Sequence, residues 1–245
     1  MLGRNGRNVQ QRNLKDRRRR DGIYKGKLFR DNYGMIIRFL GDSITAGSRG
    51  SAVGYPIYVE KFLKEKYGDI LFEFKNCGIW GDQTIDLQSR IESGEIEVEA
   101  DIIFLFIGVN DVLKSFDDKS LSSEQFASRY ENLVKTIRDK SSAPLIIMEP
   151  YLISDDAMRS HKRSLLIEFN EQVFKMAKKY ADCFVPLDGK FKAVTLKDDI
   201  TTYTVDGLHL SDKGAKFVAS ACYDDLEEII EKNRAGYENV KTKVG

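Results

Sequence analysis

The sequence predicts an α/β domain wound on both sides of a parallel sheet, and three observations predict it. From residue 35 onward, short uninterrupted apolar runs alternate with longer stretches of helical period, the pattern of buried parallel strands joined by crossover helices. Apolar runs give way to polar loops rich in Gly, Asp, Ser and Asn. After Met35 no internal repeat, Pro-rich linker or low-complexity block divides the chain, and 245 residues, 42% apolar and 31% charged, are enough for one sizeable core. In such a sheet ligands bind in the crevice outside the carboxyl ends of the strands, so the loops leaving them are where chemistry is expected.

The first segment stands apart. Residues 1–34 hold 11 of the 39 basic residues but 3 of the 38 acidic ones, so this leader is +8 and the remainder −7. It has almost no apolar periodicity and is expected to be disordered. Its run Arg17 to Arg20 is the one place where nucleic acid or an anionic surface would bind, but the simpler reading is an extension ahead of a domain beginning near Met35. The leader is basic without the apolar centre of a secretory signal, and no apolar run reaches the roughly 20 residues of a membrane helix. A cytoplasmic, membrane-free protein is the resulting expectation.

Five runs read as strands: "MIIRFL" from Met35, "ILFEFKN" from Ile70, "DIIFLFIG" from Asp101, "PLIIMEP" from Pro144 and "CFVPLD" from Cys183. Phe126, Tyr130, Leu133, Val134 and Ile137 recur at helical spacing between the third and fourth, and Leu166, Phe169, Val173, Ala177 and Tyr180 between the fourth and fifth. Phe217, Val218, Ala221, Cys222, Leu226 and Ile229 mark one terminal helix, with a flexible tail expected over 236–245.

The exits carry "GDSITAG" after the first strand, "NCGIWGDQT" after the second and "IGVND" after the third, and "VDGLHLSDKG" precedes the terminal helix. Ser43 there is open to three readings: nucleophile, part of a phosphate-binding loop, or turn residue. Acyl transfer needs a nucleophilic oxygen, a base, a group that orients the base, and donors for the oxyanion. Ser43 supplies the first. His209 is the base, since the only other histidine, His161, lies in the polar stretch "MRSHKR"; Asp206, three residues before His209, orients it. The backbone N–H groups of Ser43 and Gly81 and the amide of Asn110 are the candidate oxyanion donors. No metal or other cofactor is required. The phosphate reading lacks both the P-loop ending and the G-x-G-x-x-G fingerprint, and leaves Asp206 and His209 unexplained.

Gly41 to Ser43, Gly81, Asn110 and the D-x-x-H of Asp206 to His209 occur in the order of the four sequence blocks of the SGNH (GDSL) esterase and lipase superfamily, which residues 35 to about 222 resemble. The resemblance implies a flavodoxin-like, three-layer α/β/α sandwich on a five-stranded parallel sheet, over domain residues 35–235. It implies hydrolysis of esters or thioesters by a Ser43–His209–Asp206 triad, with Ser43, Gly81 and Asn110 as the oxyanion hole. "GDSITAG", "IGVNDV", "MEPY" and the following "MRS" are most similar to bacterial intracellular acetylesterases acting on xylo-oligosaccharides. Val109 and Leu210 depart from the residues frequent at their places.

Trp80, the only tryptophan, reads equally as a flat face for a sugar ring or acyl group and as packing at the pocket wall, while Tyr151 and Met158 are candidates for the same wall with core or rim packing as the plainer alternative. Asp42 and Asp111 are expected to fix turns. Cys77, Cys183 and Cys222 lack metal or disulfide spacing and read as reduced. The lack of an obvious amphipathic lid favours a soluble, short-chain ester substrate, and the resemblance implies an O-acetyl group on a carbohydrate such as acetylated xylo-oligosaccharides. A lysophospholipase or thioesterase of the same superfamily is the alternative, a nucleotide- or flavin-binding module the rival from another class, and the sequence leaves the oligomeric state open.

Overall fold

The structure, a computed structural model, describes residues 34–119, 121–153 and 161–244, with positions 118, 161 and 235–244 described by their backbone alone. Each of the five apolar runs contains a strand: β1 (Gly34–Gly41), β2 (Leu71–Asn76), β3 (Ile102–Phe106), β4 (Leu145–Met148) and β5 (Cys183–Val185). All neighbours pair in parallel, in the order β2-β1-β3-β4-β5. Successive side chains alternate faces, as a pleated strand requires. Ile37, Phe39, Phe104, Phe106, Ile146 and Met148 enter one core, and Leu40, Ile103, Leu105, Leu145 and Ile147 enter the other.

The first core is closed by α2 (Pro56–Lys66), α7 (Leu187–Thr195), α8 (Asp212–Ser220) and α9 (Tyr223–Val244). The second is closed by α3 (Thr84–Glu92), α5 (Ser123–Lys140) and α6 (His161–Tyr180). The chain is therefore an α/β/α sandwich. Two short helices, α1 (Ser43–Ala46) and α4 (Val109–Asp118), leave β1 and β3 directly. The stripes of α5 and α6 are the inward faces, with Tyr180 half-buried at the end. Local chemistry sets the starts: Pro56 opens α2 where its missing N–H costs nothing, and Ser122 and Gln125 cap each other's backbone N–H at α5.

The expected single terminal helix is two. Cys222 N–H turns to the carbonyl of Ala219 rather than to that four residues back, which tightens one turn between α8 and α9. The buried face advances accordingly, so Leu226 and Ile230 are fully covered and Ile229 only partly. The backbone of 236–244, expected as a tail, continues α9. Of the leader only Gly34 is described, as the first residue of β1. Among the described residues no helix is long and apolar enough to cross a membrane.

Sheet order fixes the position of any site. The chain runs from β1 outward to β2, then returns across β1 to β3, so the switch point lies between the exits of β1 and β3. Phe104, stacked 4.9 Å from Phe39, is the packing centre behind it. Phe104→Ala is expected to lower unfolding stability by about 3–5 kcal/mol in urea titrations, because it leaves a cavity among fully buried rings; a loss under 1 kcal/mol would contradict this packing.

Candidate active site

β1 ends at Gly41, whose Cα lies so close to β3 that a Cβ would stand 2.4 Å from the Phe106 carbonyl oxygen. Asp42 follows, fully buried, and its Oδ1 accepts the Ile44 N–H at 2.9 Å, capping α1 and setting Ser43 in its first position. Burial raises the Asp42 carboxyl from an ordinary 3.8 to about 7, against the pull of that hydrogen bond and with the help of Asp111 and Asp82 nearby.

Ser43 Oγ lies 2.9 Å from His209 Nε2, and His209 Nδ1 lies 2.6 Å from Asp206 Oδ2. With Nδ1–H donating to the carboxylate, Nε2 is left to accept the serine proton. Asp206 Oδ1 also accepts the N–H groups of Leu208 (3.0 Å) and His209 (2.7 Å). Partial burial works against the Asp206 charge, but these bonds outweigh it and hold the carboxyl below its usual range. The loop is pinned from outside: Tyr151 hydroxyl donates to the Leu208 carbonyl at 2.6 Å, Ile153 N–H to that of Gly207 at 3.0 Å, and Val53 N–H to that of Leu210 at 2.9 Å.

The structure gives each of the two candidate wall residues a different setting. Tyr151 is 0% exposed, packed against Phe191 and Phe106 in the core, and supports the His209 loop instead of lining a pocket. Trp80 stacks on the His209 imidazole, ring centres 4.5 Å apart and planes at 18°, and donates through Nε1 to the Gly47 carbonyl at 3.1 Å. Part of its π surface thus holds the imidazole. Met158 lies outside the described residues.

Gly81 follows Trp80 with φ +86°, a conformation that disfavours side chains, and neither its N–H nor that of Ser43 has an acceptor among the described residues. Asn110 Nδ2 donates one hydrogen to the Asp82 carbonyl at 2.9 Å, which fixes the amide and leaves its second N–H unspent. Asp111 accepts from Thr84 twice, at 2.9 Å from N–H and 2.7 Å from the hydroxyl, tying the β2 and β3 exits together. Burial raises the Asp111 carboxyl to about 6. The sequence reading missed Thr84 as the partner of Asp111, and Arg49, whose guanidinium sits 4.9 Å from the Trp80 ring centre. An Arg among Gly and Ser carries no local signal of that contact.

Cys77 is no rival nucleophile, since burial pushes its thiol up, away from thiolate. Among the described residues no group of three His, Cys, Asp or Glu side chains is placed to hold a metal ion. An open cleft of about 430 Å³ at the β4 and β5 exits, lined by Glu149, Asn170, Asp188 and Lys192 among others, shares no residue with the Ser43 constellation.

A parallel sheet with a serine, an imidazole and a carboxylate in hydrogen-bonded line at its switch point belongs to the carboxylic ester hydrolases, and comparison with known proteins gives the same class. The sequence profile of the GDSL-like Lipase/Acylhydrolase family matches residues 39–217, and the chain belongs to that family. It is 26% identical over 203 residues to an acetylxylan esterase of Geobacillus stearothermophilus, covering 77% of this chain and 92% of that one. A mutant acetyl-xylooligosaccharide esterase from Geobacillus superposes with a TM-score of 0.68 at 25% identity, over 80% of this chain and 94% of the other. A GDSL-like protein from Parabacteroides merdae has the same fold (TM-score 0.67, 22% identity, 76% and 93% coverage).

Asp42 makes a checkable demand on stability. Its folded pKa is raised, so between about pH 4 and 7 the native state holds a proton that the unfolded chain releases, and this contribution is lost as pH rises through 7. Asp42→Asn removes it. The stability of the parent relative to this variant is expected to fall by about 1 kcal/mol per pH unit across that window in urea unfolding at pH 5, 6 and 7. Parallel pH profiles would mean that Asp42 does not titrate there.

Proposed function

We propose that the protein is a serine esterase that removes short acyl groups, acetyl above all, from a carbohydrate alcohol. The observation that carries the mechanism is the unbroken contact series Ser43 Oγ, His209 Nε2, His209 Nδ1, Asp206 Oδ2. His209 takes the Ser43 proton as Oγ attacks the ester carbonyl, and Asp206 steadies the imidazolium. The oxyanion falls to the N–H groups of Ser43 and Gly81 and the free N–H of Asn110. His209 then protonates the departing alcohol, leaving acyl-Ser43. Water, deprotonated by the same imidazole, attacks this ester and releases the acid with Ser43 restored.

Stacking on Trp80 gives the imidazole a fixed plane. Choice of acetyl and of carbohydrate rests on likeness to the Geobacillus acetylxylan and acetyl-xylooligosaccharide esterase.

Ser43→Ala and His209→Ala are each expected to lower kcat on 4-nitrophenyl acetate by about 10⁴-fold or more, with the fold retained by circular dichroism. A Ser43→Ala protein with full activity would end the mechanism. For the substrate, kcat/KM is expected to fall from acetyl through butyryl to octanoyl nitrophenyl esters, and acetylated xylo-oligosaccharides to release acetate. Preference for octanoyl would move the protein to the lysophospholipase or thioesterase reading with the mechanism unchanged.

A further inference from the structure

We infer that Arg49 is a specificity residue that selects esters whose alcohol carries a carboxylate, such as an acetylated uronic acid; the inference rests on the ester-hydrolase reading of the same site. Arg38, Arg90, Arg138, Arg163 and Arg234 each have a carboxylate partner. Among the described residues Arg49 has none, and its side chain makes no hydrogen bond there, yet it is not loosely placed. The guanidinium lies 4.9 Å from the centre of the Trp80 ring, which itself lies 4.5 Å from that of His209. The cation is therefore no farther from the imidazole than those two spacings laid end to end, a reach that an acetylated uronic acid covers when its carboxylate is met by the arginine's N–H groups.

The loop that presents Arg49 is built tightly. Gly47 N–H donates to the Ser43 carbonyl at 2.9 Å, Ser48 N–H to Ala52 at 3.1 Å, and Ala52 N–H back to Arg49 at 3.1 Å. Trp80 Nε1 holds the Gly47 carbonyl, so the platform under Arg49 and the loop bearing it are bonded to one another. The contact with the indole uses none of the N–H donors of Arg49. Its in-plane N–H groups remain available, in the fork that matches a carboxylate with two parallel hydrogen bonds. The neighbouring carboxylates, Asp82 and Asp206, are engaged by Arg90 and His209, so the site's cation is not neutralised from within.

The matched probes are methyl xyloside and methyl glucuronoside acetylated at the same position, which differ by the carboxylate on C5. The wild-type protein is expected to show a kcat/KM for the glucuronoside about tenfold above that for the xyloside, the scale of one charge-assisted contact, expressed mainly in KM. Salt at about 0.5 M is expected to shrink the ratio, since the site is open to solvent. Arg49→Gln is expected to bring the ratio near one, and Arg49→Lys to restore part of it. No preference in the wild type, or an unchanged ratio in Arg49→Gln, overturns the inference while hydrolysis of 4-nitrophenyl acetate continues. Failure of the wild type on all three acetates would instead reject the acetylesterase reading beneath it.

Discussion

The close, parallel pairing of β1 with β3 is the constraint on which the rest depends. Gly41 lies level with Phe106, and only a residue without a Cβ can stand there, because the carbonyl of Phe106 would meet any side-chain carbon at 2.4 Å. Both strands end at the same height, so Asp42-Ser43 and Asn110-Asp111 leave side by side at the switch point. A larger residue at 41 would move β1 off β3. Every distance in the site begins from that register.

On this frame the loops are tied to one another as much as to the sheet. Asp111 holds Thr84, Asn110 holds Asp82, and Arg90 holds Asp82 and the Cys77 carbonyl, so the β2 and β3 exits form one unit carrying Gly81. The His209 loop is held separately, by Tyr151, Ile153 and Val53. Trp80 joins the halves through its stack on His209 and its bond to Gly47. Ser43 and His209, 166 residues apart in sequence, are thereby kept at hydrogen-bond distance by rigid neighbours and not by their own mutual attraction alone.

Much of this was legible beforehand, for identifiable reasons. Strand cores such as Ile102–Phe106 are buried on both sides and so are apolar throughout, and their shortness between polar loops marks them as strands. Ser43, Asp206 and His209 were legible because nucleophile, base and orienting acid demand particular residue types, and the chain has only two histidines. Contacts between loops were not. Trp80 reads equally as a sugar platform or as packing, and only the fold brings His209 to its face. Tyr151 follows β4 as a binding residue would, but its hydroxyl is drawn inward to the Leu208 carbonyl left by the turn at Gly207. The break between α8 and α9 left no Gly or Pro to mark it, since one tightened bond at Cys222 sufficed.

The electrostatics of the crevice follow from the same burial. Asp42 and Asp111 are enclosed near each other behind the reacting serine, and enclosure favours their neutral forms. An ionised pair there would repel the negative oxygen that develops on the substrate during acyl transfer. Asp206 is treated differently by the fold: half-exposed and bonded by two backbone N–H groups and the imidazole, it keeps its charge. One kind of side chain is thus pushed in opposite directions around the same serine, upward where burial dominates and downward where exposure and hydrogen bonds prevail. At Asp206 the negative charge is kept where an imidazolium will form to meet it.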